Sequence, residues 1–285
     1  MSDAGLEKNG SASHEPLGNG NKPPRAFPLY GLRYAMREYL AEFFGTALLI
    51  FFGNTVVATV TFNETFAPAK WVIITFGWGF GLAMALYISM GVSGGHLNPA
   101  VTIANAVYGH FSWIKVPGFI FCQVLGAFFG AALTYGVFRP QFHTFAPDGK
   151  LHVGGDYGTG GIFCTYPNPK NSTWDNFYTE CLLTGILMFV IRSMFEPKLT
   201  PVNGYAPIAV GLLVFTIGLC VGTTTGYAIN PARDFGPRVF TAIAGWGSEP
   251  FTASNHYFWN PIVAPIVGAI VGFGLYELVI IPNED

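Results

Sequence analysis

Two short boxes carry the polar chemistry of this chain. Asn98-Pro99-Ala100 lies in "GGHLNPAVTIA", and Asn230-Pro231-Ala232 lies in "GYAINPARDFGP". Asn is a leading helix N-cap residue, and Pro suits the first helical turn, where its missing N–H has no helical partner to lose. The side-chain oxygen of each Asn can accept from its own helix, which fixes the amide and leaves its NH2 donors to point into a cavity. Arg233 and Asp234 follow the second box directly. A cation in the first turn of a helix faces the unfavourable end of the dipole. Arg233 therefore needs a reason: a partner, a surface, or a substrate that offers oxygen atoms.

The elements that hold these boxes are apolar. Hydrophobic residues make up 51% of the 285 and charged residues 11%, where a soluble domain carries about 25%. With a mean hydropathy of +0.41, the chain reads as a membrane protein. Its net charge of −2 comes without a basic block, which argues against nucleic acid as a partner. Cys122, Cys164, Cys181 and Cys220 show no C-x-x-C spacing, and the residues suggest neither metal nor cofactor. The polar residues 1–38, rich in Gly, Asn and Pro, read as a disordered tail.

A bilayer core of about 30 Å needs roughly 20 apolar helical residues. Six stretches fit: 39–60, 71–90, 116–138, 175–195, 206–222 and 257–281. Two shorter ones, 98–108 and 230–241, begin at the Asn-Pro-Ala boxes. Each would make about 15 Å of helix, half a bilayer. The order helix, helix, half-helix, helix runs over 39–138 and again over 175–281, with Glu42 matching Glu180 and "QVLGAFFGA" matching "PIVGAIVGF". Three full spans per copy invert the second copy. The expected fold is an all-α membrane protein of six transmembrane helices plus two half-helices, forming a channel domain over 39–285. Inverted repeats with broken helices that meet at the midplane are a transport architecture.

Lys8, Lys22, Arg25, Arg33 and Arg37 precede the first span, which places both termini in the cytoplasm. The sequons at Asn63 and Asn171 then fall in outside loops, as candidate glycosylation sites.

Backbone that leaves helix inside a bilayer must be buried or line a water-filled cavity, and two boxes in an inverted repeat favour the cavity. Two half-helix N-termini would face each other there, each carrying roughly half a positive charge. Such a pore meets a cation or a proton with a barrier and a neutral oxygen-bearing molecule with donors, so it suits water or polyols. Arg233 fits a narrow outer constriction as a donor; the plainer alternatives are snorkelling or pairing with Asp234. Glu42 and Glu180 suit a structural role, accepting N–H groups from the loops that lead into the half-helices. His96 either lines the pore or supports its loop. A coupled transporter would need a titratable group at the midplane, and neither half-helix has an Asp or Glu near its asparagine. No nucleophile–base set suggests an enzyme.

The paired boxes and their spacing resemble the major intrinsic proteins, the aquaporin family, over about 39–281. "NPARDFGPR", with Asp234 after Arg233, and "AGWGSEPFT" are similar to the aquaglyceroporin branch. The resemblance implies a passive channel for glycerol, other small neutral solutes and water, with a predominantly water-selective channel as the alternative. It also implies a homotetramer with one pore per subunit, in the plasma membrane. By position it implies an outer filter of Trp78, Gly218, Tyr227 and Arg233. There glycine would widen the path, while the aromatic residues would take CH groups. It implies further that carbonyls of Gly94, Gly95, His96, Gly226, Tyr227 and Ala228 line the pore. Tyr227 departs from the phenylalanine of the bacterial glycerol channel, and Gly94-Gly95 is a pair more typical of water channels.

Overall fold

The computed structural model describes residues 29–196, 202 and 204–281; most of the expected tail, 1–28, lies outside them. A short helix, α1, covers Tyr30–Ala35, and α2 starts at Arg37. Helix therefore begins earlier than position 39, where the apolar run starts. Leu32, Arg33, Ala35, Met36, Arg37 and Glu38 are good helix formers and outnumber Tyr30, Gly31 and Tyr34 there.

The long helices are α2 (Arg37–Thr61), α3 (Lys70–Ser93), α5 (Val116–Phe145), α6 (Thr173–Met194) and α10 (Asn260–Val279). All five are long and apolar enough to cross a membrane. The expected fifth span is a helix of only 16 residues, α7 (Ala206–Val221), or about 24 Å of rise. Gly222 to Tyr205 bound it, and Pro207 sits in its first turn. The half-helices are α4 (Pro99–Val107) and α8 (Pro231–Thr241), and a short helix α9 covers Glu249–His256. Among the described residues the sole β feature is a single bridge between His152 and Gly158.

Helix α2 shows how these sequences face two media. Glu42, Gly45, Thr46, Leu49, Ile50 and Gly53 are buried along one stripe, while Phe44 and Phe52 look outward. Phe76, Phe80, Phe121, Phe129 and Leu275 are also exposed. Apolar groups on both faces suit a helix packed on protein and bathed in lipid.

Small residues bring the helices together. A Cβ at Gly126 would strike the Phe43 carbonyl and one at Gly130 the Ala47 carbonyl, so α5 lies directly on α2. Gly268 and Gly272 do the same for α10 against the carbonyls of Cys181 and Gly185 on α6. These are the matched G-x-x-x-G segments of the two repeats, a spacing that allows close backbone approach. The repeats meet at α3 and α7, where Gly79 and Gly211 face each other's carbonyls and a Cβ on either would come within 2.8 Å or 2.6 Å. The two glycines occupy equivalent positions, so the pseudo-two-fold axis runs between them.

Candidate functional site

Each half-helix starts as its sequence dictates. Asn98 and Asn230 are extended N-caps, with φ of −157° and −153°, and Pro follows each. Asn98 Oδ1 accepts from Ala100 N at 2.9 Å; Asn230 Oδ1 accepts from Ala232 N at 2.9 Å and Arg233 N at 3.2 Å.

The amide donors differ from expectation. Asn98 Nδ2 donates to the Ile229 carbonyl at 2.9 Å, and Asn230 Nδ2 donates to the Leu97 carbonyl at 2.8 Å. Each asparagine thus uses one N–H to hold the opposite loop and keeps one for the cavity it lines. Leu97 and Ile229 can offer these carbonyls because their own backbones turn to φ of 50° and 44°, a left-handed region that few non-glycine residues enter. Local propensity does not announce this turn; burial and the reciprocal bonds hold it.

Two carboxylates brace the loops from behind. Glu42 accepts from His96 N at 3.0 Å, Leu97 N at 2.7 Å, Ser93 Oγ at 2.6 Å and Gln123 Nε2 at 2.7 Å. Glu180 accepts from Ala228 N at 2.9 Å and Ile229 N at 2.8 Å. Both are fully buried, and both satisfy N–H groups that the broken helices leave without helical partners.

A cavity of about 600 Å³ runs past these loops. Gly94, Gly95, His96, Asn98, Tyr227, Ala228, Asn230, Trp78 and Arg233 line it; Gly226 and Gly218 do not. Gly226 packs toward the loop carrying Thr165, where a Cβ would come within 3.0 Å of that residue. Gly218 lies behind Tyr227: a Cβ there would meet the ring at 2.7 Å. The space that glycine vacates is thus filled by the neighbouring aromatic rather than added to the path. Trp71 completes the seat, 5.9 Å from the Tyr227 ring edge-on, with its indole N–H donating to the Gly218 carbonyl at 3.0 Å. The Tyr227 hydroxyl is buried and has no hydrogen-bond partner among the described residues. His96 both lines the cavity and supports its loop, through Nδ1 at 3.1 Å from Thr102 Oγ1.

At one end of the cavity Arg233 lies over Trp78, with Cζ 4.2 Å from the ring centroid. Its Nη1 donates to the Phe163 carbonyl at 3.3 Å. Asp234 is not its partner. That carboxylate takes Arg238 Nε at 2.7 Å on one oxygen, and Thr165 N and Oγ1 at 2.7 Å and 2.6 Å on the other. Arg238 also donates to the carbonyls of Pro250 and Thr165. One turn of α8 separates Asp234 from Arg238, which is the ordinary spacing for a helical ion pair. The i, i+4 spacing could have flagged it. Asp234 thereby leaves Arg233 without a carboxylate among the described residues, so its charge acts on the cavity.

Of the two sequons, Asn63 is exposed and caps a turn through Oδ1 to Thr65 N. Asn171 commits its Nδ2 to Asn176 Oδ1 and the Thr224 carbonyl.

The family model for major intrinsic protein matches residues 32–276. The chain is 48% identical to aquaglyceroporin-3 of Trypanosoma brucei brucei over 246 residues, which cover 86% of this chain and 79% of that one. It is 42% identical to aquaporin-9 of Homo sapiens over 245 residues, covering 86% and 82%. Its fold matches the X-ray structure of the aquaglyceroporin from Plasmodium falciparum with a TM-score of 0.75 and 32% identity, over 87% of this chain and 97% of that one. A multi-pass arrangement of apolar helices, two capped half-helices meeting at a cavity, and this extent of similarity have one explanation: the chain belongs to the major intrinsic protein family.

Proposed function

We propose that the protein is a passive channel for glycerol, other small neutral solutes and water, which excludes protons and ions and catalyses no reaction. The observation that carries this reading is the composition of the cavity wall. Donors from Arg233, Asn98 and Asn230 stand along it, while Trp78, Leu82, Leu86, Val210 and Val214 form apolar wall. A polyol has hydroxyls to accept and donate, and a carbon edge that is cheap to place against apolar groups. The aquaglyceroporins of Trypanosoma brucei brucei and Plasmodium falciparum, to which the chain is similar, support the same solute class. Two half-helix N-termini held together at Asn98 and Asn230, with Arg233 nearby and no carboxylate on it among the described residues, favour exclusion of cations.

Trp78, Tyr227 and Arg233 form the outer constriction in this reading, with Gly218 as the seat of Tyr227. Asp234 belongs with Arg238 as the brace that fixes α8. The carbonyls of Gly94, Gly95, His96, Tyr227 and Ala228 serve as acceptors along the path, and Gly226 supports the turn. Both termini face the cytoplasm of the plasma membrane, four copies assemble with one pore each, and glycosylation falls on Asn63 rather than Asn171.

Stopped-flow light scattering on proteoliposomes tests the function. Glycerol entry well above that of empty vesicles, together with water flow, is the expected result. Fast water flow without glycerol entry would leave a water-selective channel instead. Gly218→Ala adds one methyl against the Tyr227 ring. Displacing the ring toward Arg233 is expected to lower glycerol permeability about tenfold, as for an overpacking cost near the low end of the usual range. Water flow should fall less. Equal loss of both would show general misfolding.

A further inference from the structure

The cavity has a second end that the Asn-Pro-Ala boxes do not account for. Arg192, Asn105, His110 and Phe273 line it. Arg192 lies in the last turn of α6. The first turn of that helix follows the loop carrying Thr165, which braces α8 near Arg233. Arg192 is therefore at the opposite mouth.

Its guanidinium is held but not exhausted. Nε donates to Glu277, and Nη2 donates to Glu196 at 2.8 Å. Two of five N–H groups are used among the described residues. Cζ lies 5.8 Å from the ring centroids of both Phe273 and Tyr276. Asn105 donates its Nδ2 to the Val101 carbonyl at 2.8 Å, and its Oδ1 has no partner among the described residues.

The repeat does not generate this group. Val101 stands 132 positions before Arg233, so the first repeat places valine where the second places the filter arginine. Arg192 stands 138 positions after Asn54, as Glu180 does after Glu42. Yet Asn54 is fully buried and does not line the cavity. The inner arginine thus comes from a different helix than the outer one, yet both end beside aromatic rings on the same cavity.

We propose that Arg192 and Asn105 form a second polyol-binding station, a specificity-determining site at the mouth opposite Arg233; this rests on the glycerol-channel reading above. Arg192 donates to a hydroxyl and Asn105 Oδ1 accepts from one, while the buried Phe273 ring, stacked on Tyr108 at 4.6 Å, backs the guanidinium. Glu277 and Glu196 neutralise the guanidinium, so the station offers donors without adding to the positive barrier at the midplane. His110, 3.8 Å from Glu277, borders the same carboxylate.

The test compares the wild type with Arg192→Met/Glu277→Leu, which removes the donors without leaving Glu277 ionised and unpaired. Asn105→Leu leaves the ion pair intact. Glycerol and water permeabilities are read by stopped flow on full-length protein in proteoliposomes. Each variant is expected to lower glycerol permeability about three- to tenfold, the equivalent of one lost hydrogen bond, while water flow holds. Unchanged glycerol permeability in Asn105→Leu, or a parallel fall of glycerol and water in the double variant, overturns the station and leaves Arg192 a structural ion pair. A wild type that carries water but no glycerol overturns the channel reading itself, and the station with it.

Discussion

Arg238→Met is expected to destabilise the protein by about 3–5 kcal/mol, the usual effect of removing one partner from a buried ion pair. Arg238 and Asp234 are both fully buried. Methionine matches the arginine stem in length but leaves the Asp234 charge facing only Thr165. It also strands the carbonyls of Pro250 and Thr165, which Arg238 now satisfies. The thermal midpoint of the detergent-purified protein, followed by tryptophan fluorescence, reads the loss. Asp234→Asn/Arg238→Met removes the stranded charge and is expected to recover part of it. A single variant as stable as the wild type would mean that Asp234 has found another cation. Arg233 sits next to it in sequence, so that outcome should appear as altered glycerol permeation.

Glu42→Leu is expected to be the other severe change. Four donors converge on this carboxylate: two backbone N–H groups, Ser93 and Gln123. Each buried donor left unmet costs about 1–3 kcal/mol, so even partial rearrangement leaves a loss of order 4 kcal/mol or more. Glu42→Gln keeps one acceptor oxygen and should lose less. Glu180→Leu removes the two backbone bonds from Ala228 and Ile229. It should therefore lie between wild type and Glu42→Leu in thermal midpoint. Equal losses at the two positions would show that the loops share the load. The asymmetry has a visible origin: Pro265 stands in the second repeat where Gln123 stands in the first.

Much of the fold was legible because its signals are local. Asn followed by Pro sets the start of α4 and α8 to within a residue, and apolar runs set the long helices. Correspondence of Glu42 with Glu180, and of the two G-x-x-x-G segments, follows from the repeat. What escaped depends on packing across the repeat. Nothing in either box says that Asn98 and Asn230 spend a donor on each other's loop, since those contacts join residues more than 130 apart. Gly218 suggested a wider path, but the side chain nine positions later fills its place. Arg238 and Arg192 were not singled out in the sequence, and neither were their partners. The i, i+4 spacing could have pointed from Asp234 to Arg238, whereas Glu277 with Arg192 joins two helices.

The reciprocal bonds from Asn98 to Ile229 and from Asn230 to Leu97 have a consequence for biosynthesis. A ribosome adds about 5–20 residues per second, so Ile229 follows Asn98 by roughly 7 to 26 s. During that interval the tip of α4 has its Glu42 brace in reach but no opposite loop to grip. Its half-helix is too short to span a bilayer and too polar at the tip to rest in lipid. The first repeat therefore has to be sheltered, by the insertion machinery or by its own three long helices, until the second arrives. Faults that slow the second half of translation should leave protein that is inserted but has no formed pore.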